Sequence, residues 1–283
     1  MGFVLATAGA AVGLGNIWRF PYLAAEYGGG IFLLTYLLLV FSAGFVLVLT
    51  ESALGRMTGS GVLCAYEKIS RKLSFAGYLT FITPLIIFSF YSVVGGWVMF
   101  YALQFIFGNG SLLADSGYFS AFTAEPVIPA VFTLIFIALT AWIVLRGVRR
   151  GIEKTTRLLM PVLLVMLVVL AAYCICMPGG LDGLWYFFYP DFSKFSAELV
   201  LAALGQMFFT LMIGSGVIMT YGSYLSKSEN LVKSAHSIDF FDTAVAILAG
   251  LLVIPAVFAL SGGSPGTLGS GPALMFIALP QVF

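Results

Sequence analysis

The chain is 283 residues long, 61% of them hydrophobic and 9% charged, with a mean hydropathy of +1.07 and a formal net charge of +1. No water-soluble globular domain sustains such hydropathy over this length, so the composition indicates a membrane protein. An outer-membrane barrel would alternate apolar and polar residues in strands of about ten, whereas these apolar runs are continuous and roughly 20 residues long. The predicted fold is therefore all-α, a multi-span helical bundle forming one transmembrane domain over residues 1–283.

The residue types on which many enzymes depend are scarce. The single histidine, His236, excludes a membrane protease of the HExxH type and is predicted to lie solvated in a basic loop. Three cysteines, Cys64, Cys174 and Cys176, are spaced for neither a metal site nor a redox pair, so we expect them to pack as small apolar side chains. The chain is predicted not to be an enzyme and not to bind nucleic acid.

Seven apolar segments predict seven membrane-spanning helices. Their approximate bounds are Val4 to Glu26, Ile31 to Gly55, Gly77 to Phe107, Val127 to Leu145, Thr156 to Met177, Ala197 to Leu225 and Asp239 to Ser261. Residues 262–283 begin with a glycine-rich stretch and are too few to recross the bilayer, so they are predicted to be an external loop.

Basic residues concentrate in alternate loops. Four follow the second span, five follow the fourth and two follow the sixth, out of 13 in the chain; they are Arg56, Lys68, Arg71, Lys72, Arg146, Arg149, Arg150, Lys154, Arg157, Lys227 and Lys233. Loops rich in Lys and Arg remain in the cytoplasm. The pattern predicts a multi-pass protein of the inner, cytoplasmic membrane with a cytoplasmic amino terminus.

Spans one and six contain glycines that a plain membrane helix does not need. Span one has Gly9, Gly13 and Gly15, and span six has Gly214 and Gly216. Where a helix unwinds at mid-membrane depth, its freed backbone groups need a bound ion, a bound substrate or buried polar groups. Spacing alone leaves two interpretations open: broken helices around a ligand, or small-residue faces on which helices pack.

Polar residues within or near the apolar spans favour broken helices around a ligand. They are Asn16, Arg19, Glu51, Gln206 and Asp242. A charge near the bilayer centre costs roughly 2.5 to 3.5 kcal/mol, so these side chains need partners inside the bundle. Asn16 follows the first break directly, where its side-chain oxygen could reach a cation, and Arg19 is expected to face the external vestibule one turn further on.

The sequence around these residues resembles the neurotransmitter:sodium symporter family. The resemblance lies in GAAVGLGNIWRFPY at residues 9–22 and EYGGG at 26–30, followed in order and spacing by stretches at 51–56, 146–161 and 205–224. It covers essentially the whole chain. It implies a leucine-transporter-like inverted repeat of five plus five helices, with substrate and sodium at the midplane beside broken helices one and six. This chain would hold the first seven helices.

The resemblance implies two sodium sites. The first would use the Ala11 carbonyl, the side chains of Asn16, Thr210 and Asp242, and the substrate carboxylate. The second would use the Gly9 and Val12 carbonyls, with its remaining ligands on an eighth helix absent from this chain. The chemistry is suitable, because sodium is a hard cation that prefers about six oxygen ligands and an unwound helix supplies carbonyls without importing charge.

The resemblance also implies a substrate site in which Tyr91 binds the substrate carboxylate and Arg19 acts as an external gate. The substrate-binding residues would be Ala11, Gly13, Gly15, Ile87, Tyr91, Phe209, Thr210, Met212 and Ser215. Gly13 stands where monoamine carriers of the family have an aspartate, which favours an amino acid over a decarboxylated amine. Met212 and Ser215 depart from many bacterial relatives and leave the side-chain preference open.

These observations predict sodium-coupled symport of a hydrophobic or aromatic amino acid by alternating access. Asp242 stands where chloride-dependent members have an asparagine, so we expect transport to be independent of chloride. An alternative of another class is a truncated remnant or scaffold subunit without transport activity of its own, its missing helices supplied in trans or lost. A channel is disfavoured because glycine breaks suit an occluded site better than a continuous pore.

Overall fold

The structure is a computed structural model that describes residues 12–226, 228–261 and 274–282. Seven helical segments, α1 to α7, follow the order of the predicted spans, and the described residues include no β-strand. The segments are α1 at 15–26, α2 at Gly30–Thr58, α3 at Ser74–Ile106, α4 at Val127–Leu145, α5 at Glu153–Cys176, α6 in two halves at Ala197–Thr210 and Val217–Ser223, and α7 at Leu231–Ser261. The predicted all-α fold is confirmed.

Five of these helices, α2, α3, α4, α5 and α7, are long and apolar enough to cross a membrane. The halves of α6 have 14 and 7 residues, and each is shorter than the roughly 20 residues that a crossing requires. The described part of α1 starts with a π-helical turn at Gly15–Arg19 and continues as an α-helix at Phe20–Glu26. The interruption of α6 therefore falls in one of the two glycine-rich spans, and a break in span one would begin in residues that lie outside the described part of the chain.

The predicted start of α7 at Asp239 was wrong, because α7 begins at Leu231. Asn230 caps the helix: its side-chain oxygen accepts a hydrogen bond from the Lys233 amide at 3.1 Å. Asp239 consequently lies well inside the helix and is fully buried. His236 is helical as well, and its exposed ring stacks on Phe45 of α2 with centroids 4.0 Å apart.

The core lies between α1, α2, α6 and α7. Phe20 of α1 and Tyr36 of α2 are fully buried with ring centroids 5.0 Å apart, and Phe187 meets Phe20 edge-on at 6.3 Å. About two thirds of the apolar stretch of α7 is buried, whereas no residue of α4 is buried. Helix α7 is thus central, and α4 lies at the periphery.

Helix α2 and the second half of α6 approach each other at backbone distance. A Cβ atom on Gly55 would lie 2.0 Å from the Met219 carbonyl oxygen, and one on Gly222 would lie 2.6 Å from the Ser52 carbonyl oxygen. Only glycine fits at such separations. This contact fixes α2 directly beside the break in α6.

The connections gather at two ends of the bundle. At one end, the Arg56 guanidinium after α2 donates to the Glu229 carbonyl before α7 at 2.7 Å, so the basic loops after α2 and α6 lie together. At the other end, the Tyr186 hydroxyl donates to the Ala25 carbonyl at 2.8 Å. This grouping agrees with the predicted alternation of loops, and the cytoplasmic assignment of the basic end stays a prediction.

The segment predicted as an external loop contains helical structure at Leu274–Ala278 and Leu279–Val282. Phe276 is buried there against the rings of Trp97, Tyr101 and Phe119, with centroids 4.9 to 5.8 Å away. Residues 274–282 therefore pack onto the carboxyl-terminal part of α3 and the loop that follows it.

Candidate functional site

Asn16 organises the described start of α1. The Asn16 side-chain oxygen accepts a hydrogen bond from the Gly13 amide at 3.2 Å, and the Gly13 carbonyl accepts one from the Asn16 amide at 3.2 Å. Asn16 is fully buried, so its side chain replaces water as a partner for the open backbone. Gly9 and Ala11, predicted to provide sodium-binding carbonyls, lie outside the described residues.

The break in α6 covers residues 211–216 and has three residues with positive φ. They are Met212 at +53°, Gly214 at +78° and Gly216 at +72°. The left-handed region is strained for methionine, and such strain persists where surrounding contacts hold it. Glu51 of α2 supplies one such contact, since its carboxylate accepts the Gly214 amide at 2.7 Å.

A buried polar network joins the start of α1 and the first half of α6 to α2 and α7. The Asn16 side-chain amide donates to Asp242 Oδ1 at 2.8 Å and to the Asp242 carbonyl at 3.0 Å. The Tyr36 hydroxyl donates to Asp242 Oδ2 at 3.3 Å and lies 3.2 Å from Thr210 Oγ1. All four side chains are at most 2% exposed. The structure thus brings together the three side chains predicted for the first sodium site.

The charge of this network is not balanced by a basic side chain. Within residues 12–226, 228–261 and 274–282, the one ion pair joins Arg157 to Glu153 at the surface, far along the chain from Asp242. A buried carboxylate without a cation is costly in a low-dielectric interior. The Thr210 hydroxyl donates to the Gln206 carbonyl at 3.0 Å, which leaves its oxygen lone pairs available. Such a set of hard oxygens suits a sodium ion.

An apolar cavity of about 440 Å³ lies beside the network, between α3 and α6. Five predicted substrate-binding residues line it: Ile87, Tyr91, Phe209, Met212 and Ser215. The sequence did not single out the other lining residues, which are Thr83, Pro84, Phe88, Gly205, Phe208, Ile213 and Val217. A cavity of this size and apolarity fits a small molecule with a hydrophobic side chain.

The two glycines of α1 approach the cavity walls closely. A Cβ atom on Gly13 would lie 3.8 Å from the Tyr91 hydroxyl, and one on Gly15 would lie 2.7 Å from the Phe209 ring. Thr210 follows Phe209 directly, so the first half of α6 reaches the cavity with one residue and the polar network with the next. The predicted substrate and sodium residues therefore adjoin.

Arg19, predicted as the gate, is tied to α6. Its guanidinium donates to Gln206 Oε1 at 2.8 Å and lies 5.2 Å from the centre of the Phe209 ring. The Gln206 amide in turn donates to the Gly15 carbonyl at 3.0 Å. Gln206 thus links Arg19, the start of α1 and the cavity wall. The sequence did not predict this connection.

Val12 belongs to a different environment. It packs in an apolar cluster with Met160 of α5 and Val245 of α7, and it does not line the cavity. Its carbonyl role in a second sodium site stays a prediction. The predicted site did not include three polar side chains that contact it, Tyr36, Glu51 and Gln206. All three are polar groups within apolar helices, and that property was the available signal.

Helix α6, interrupted by a turn with positive φ angles, faces the start of α1 across a buried polar network, and this arrangement is typical of the broken-helix class of membrane transporters. The chain belongs to the Sodium:neurotransmitter symporter family, whose sequence model matches residues 1–109 and 127–283. The resemblance seen in the sequence is thereby confirmed.

Individual relatives agree with this family. The chain is 38% identical to the sodium-dependent transporter YhdH of Bacillus subtilis (strain 168), over all of this chain and 63% of the relative. It is 28% identical to the human sodium- and chloride-dependent GABA transporter 2, over 99% of this chain and 54% of the relative. The crystal structure of MhsT in complex with L-phenylalanine superposes with a TM-score of 0.90 at 42% identity, covering 99% of this chain and 64% of that chain. The chain spans less than two thirds of the length of these relatives.

Proposed function

We propose that this chain carries the sodium and substrate sites of a symporter that moves a hydrophobic or aromatic amino acid across the cytoplasmic membrane. The observation that carries the proposal is the fully buried Asp242 carboxylate, which shares hydrogen bonds with Asn16 and Tyr36 and has no basic partner in the described part of the chain. A sodium ion beside Asp242 would supply the missing positive charge.

The first sodium ion binds among Asn16, Thr210 and Asp242, with the Ala11 carbonyl and the substrate carboxylate completing its shell. These side chains already form one hydrogen-bonded network, and ligation requires the Asn16 amide to turn its oxygen from the Gly13 amide toward the ion. The names of the bacterial and human relatives, which describe sodium-dependent transporters, support sodium as the coupling ion. A second sodium ion binds at the Gly9 and Val12 carbonyls.

The substrate occupies the cavity with its side chain against Ile87, Phe209 and Met212 and its carboxylate toward Tyr91. Apolar walls favour a hydrophobic side chain. The L-phenylalanine complex of the structural relative MhsT supports this choice of substrate class. No acidic side chain stands at Gly13 to bind an isolated amine, so the substrate brings its own carboxylate.

The break in α6 and the start of α1 support alternating access as the proposed mechanism. The halves of α6 are joined by residues 211–216, where Met212, Gly214 and Gly216 have positive φ angles, and Arg19 closes one side through Gln206. Substrate and sodium bind between the broken ends, and closure on opposite sides in turn moves both across the membrane.

Binding of radiolabelled L-phenylalanine to the purified chain tests the proposal, with sodium chloride replaced by potassium chloride as the control. We expect binding in sodium only, and competition by tryptophan but not by tryptamine. Equal binding in both salts, or equal competition by the amine, would contradict it. Sodium-driven uptake into vesicles then tests transport, and binding without uptake would favour the alternative in which further helices are required.

A further inference from the structure

Four basic side chains surround one cavity where α4 ends and α5 begins. Arg146, Arg150, Lys154 and Arg157 line a space of about 670 Å³, here called the basic pocket. It lies outside the substrate and sodium sites and shares no residue with them.

The turn between the helices is folded tightly enough to build this pocket. Gly147 has a φ of +83°, and the chain then packs back on α4 so closely that a Cβ atom on Gly151 would lie 1.9 Å from the Ile143 carbonyl oxygen. The turn therefore brings Arg150 beside Arg146, and the first turns of α5 add Lys154 and Arg157.

The pocket has more positive charge than its acidic neighbours can balance. Glu153 pairs with Arg157 at 2.7 Å, and this is the one ion pair within the described residues. Arg146, Arg150 and Lys154 thus face the same cavity without a carboxylate partner there. Like charges held around one space repel each other, and an anion between them would relieve that repulsion.

The position of the pocket relative to the bilayer is marked by Trp142. The Arg146 guanidinium lies 3.5 Å above the Trp142 ring, which is 53% exposed. Exposed tryptophans of membrane proteins concentrate at the headgroup level. The same ends of α4 and α5 carry an exposed apolar surface. It includes Leu145 of α4, which is 87% exposed, and Leu158 and Val162 of α5, which are 70% and 50% exposed.

We propose that the basic pocket binds the headgroup of an anionic phospholipid, with its acyl chains along the exposed faces of α4 and α5. The phosphate lies among Arg146, Arg150 and Lys154, and the pocket faces the leaflet that the basic loops identify as cytoplasmic. Basic pockets between membrane helices on that side are suited to such headgroups.

Titration of the purified chain with phosphatidylglycerol, with retained lipids counted by native mass spectrometry, tests the proposal. The double variant Arg150→Gln/Lys154→Gln removes two charges for which no hydrogen bond to another described residue is seen. Its matched control is Arg71→Gln/Lys72→Gln, which removes one arginine and one lysine from the exposed loop between α2 and α3. Phosphatidylcholine of the same acyl chains is the neutral probe.

We expect the wild-type chain to retain phosphatidylglycerol in preference to phosphatidylcholine. The pocket variant should bind phosphatidylglycerol about 10-fold or more weakly, since each basic residue near an anionic surface contributes on the order of a factor of five. The control should change by less than about 2-fold. Equal losses in both variants, no preference between the lipids, or displacement by inorganic phosphate alone would overturn the proposal. Circular dichroism of each variant verifies folding, and the single variant Arg150→Gln provides the same comparison if the double variant unfolds.

Discussion

Thr210 shows how a single hydroxyl can belong to both the helix and the proposed ion site. Its hydrogen is directed to the Gln206 carbonyl one turn earlier, while its oxygen lies 3.2 Å from the Tyr36 hydroxyl in the polar network. Thr35 makes the same kind of helical bond, to the Ile31 carbonyl at 2.9 Å, but is not part of the network. The two threonines therefore form a matched pair.

We expect Thr210→Val to weaken the apparent sodium affinity at least about tenfold, because an oxygen ligand to a charged group contributes roughly 1.5 to 3 kcal/mol. Thr35→Val should leave the affinity near its original value. Sodium titration of L-phenylalanine binding measures both. A loss of the same size in Thr35→Val would show that Thr210 acts through packing alone.

Asp242 predicts the response of the transporter to chloride. Its Oδ2 atom lies 3.3 Å from the Tyr36 hydroxyl, so Asp242 places a fixed negative charge beside the proposed sodium site. We expect uptake to persist when gluconate replaces chloride. Asp242→Asn should abolish uptake or make it depend on chloride, and a large fall in wild-type uptake on replacement by gluconate would contradict this assignment.

Among the contacts between helices, the one between α2 and the second half of α6 supports the break in α6. Gly55 meets the Met219 carbonyl so closely that an added methyl group would force the helices apart. We expect Gly55→Ala to destabilise the protein by about 1 to 3 kcal/mol through overpacking. Gly61→Ala is the control, since an added Cβ there meets nothing within 4 Å. Thermal unfolding in detergent compares them, and equal midpoints would refute the importance of this contact.

At the level of elements, sequence patterns located the helices and the breaks but not the contacts that support them. Continuous apolar runs predict membrane helices directly, and Gly214 and Gly216 mark the break in α6. The left-handed conformation of Met212 and the reach of Glu51 to Gly214 depend on how α2 packs, which no local pattern encodes. The early start of α7 was missed because its first turns carry polar residues that resemble a loop.

At the scale of the whole molecule, the native cysteines provide a test of orientation. Cys64, after α2, and Cys176, at the end of α5, are exposed at opposite predicted sides, while Cys174 is buried. A membrane-impermeant maleimide added to intact cells should label Cys176 and leave Cys64 unmodified until the membrane is permeabilised. The variants Cys64→Ser and Cys176→Ser identify each label. Labelling of Cys64 in intact cells would reverse the predicted topology.

The residues of the site could be predicted from the sequence better than the contacts that join them. Asn16, Thr210 and Asp242 come together as the resemblance implies, and five predicted substrate residues share one cavity. Their identification as ligands remains a prediction. The links through Tyr36 and Gln206 arise from tertiary packing of four helices, and a single sequence does not specify such packing.

The interruption of α6 also bears on how the chain enters the bilayer during synthesis. Its halves of 14 and 7 residues extend about 21 and 10 Å, each short of a hydrocarbon layer about 30 Å thick. Released alone by the insertion machinery, α6 would expose the Gly214 amide to lipid. Its partner is the Glu51 carboxylate, 163 residues earlier in the chain. Helix α2 must therefore remain beside the translocon, or return to it, before α6 can move from the translocon into the lipid.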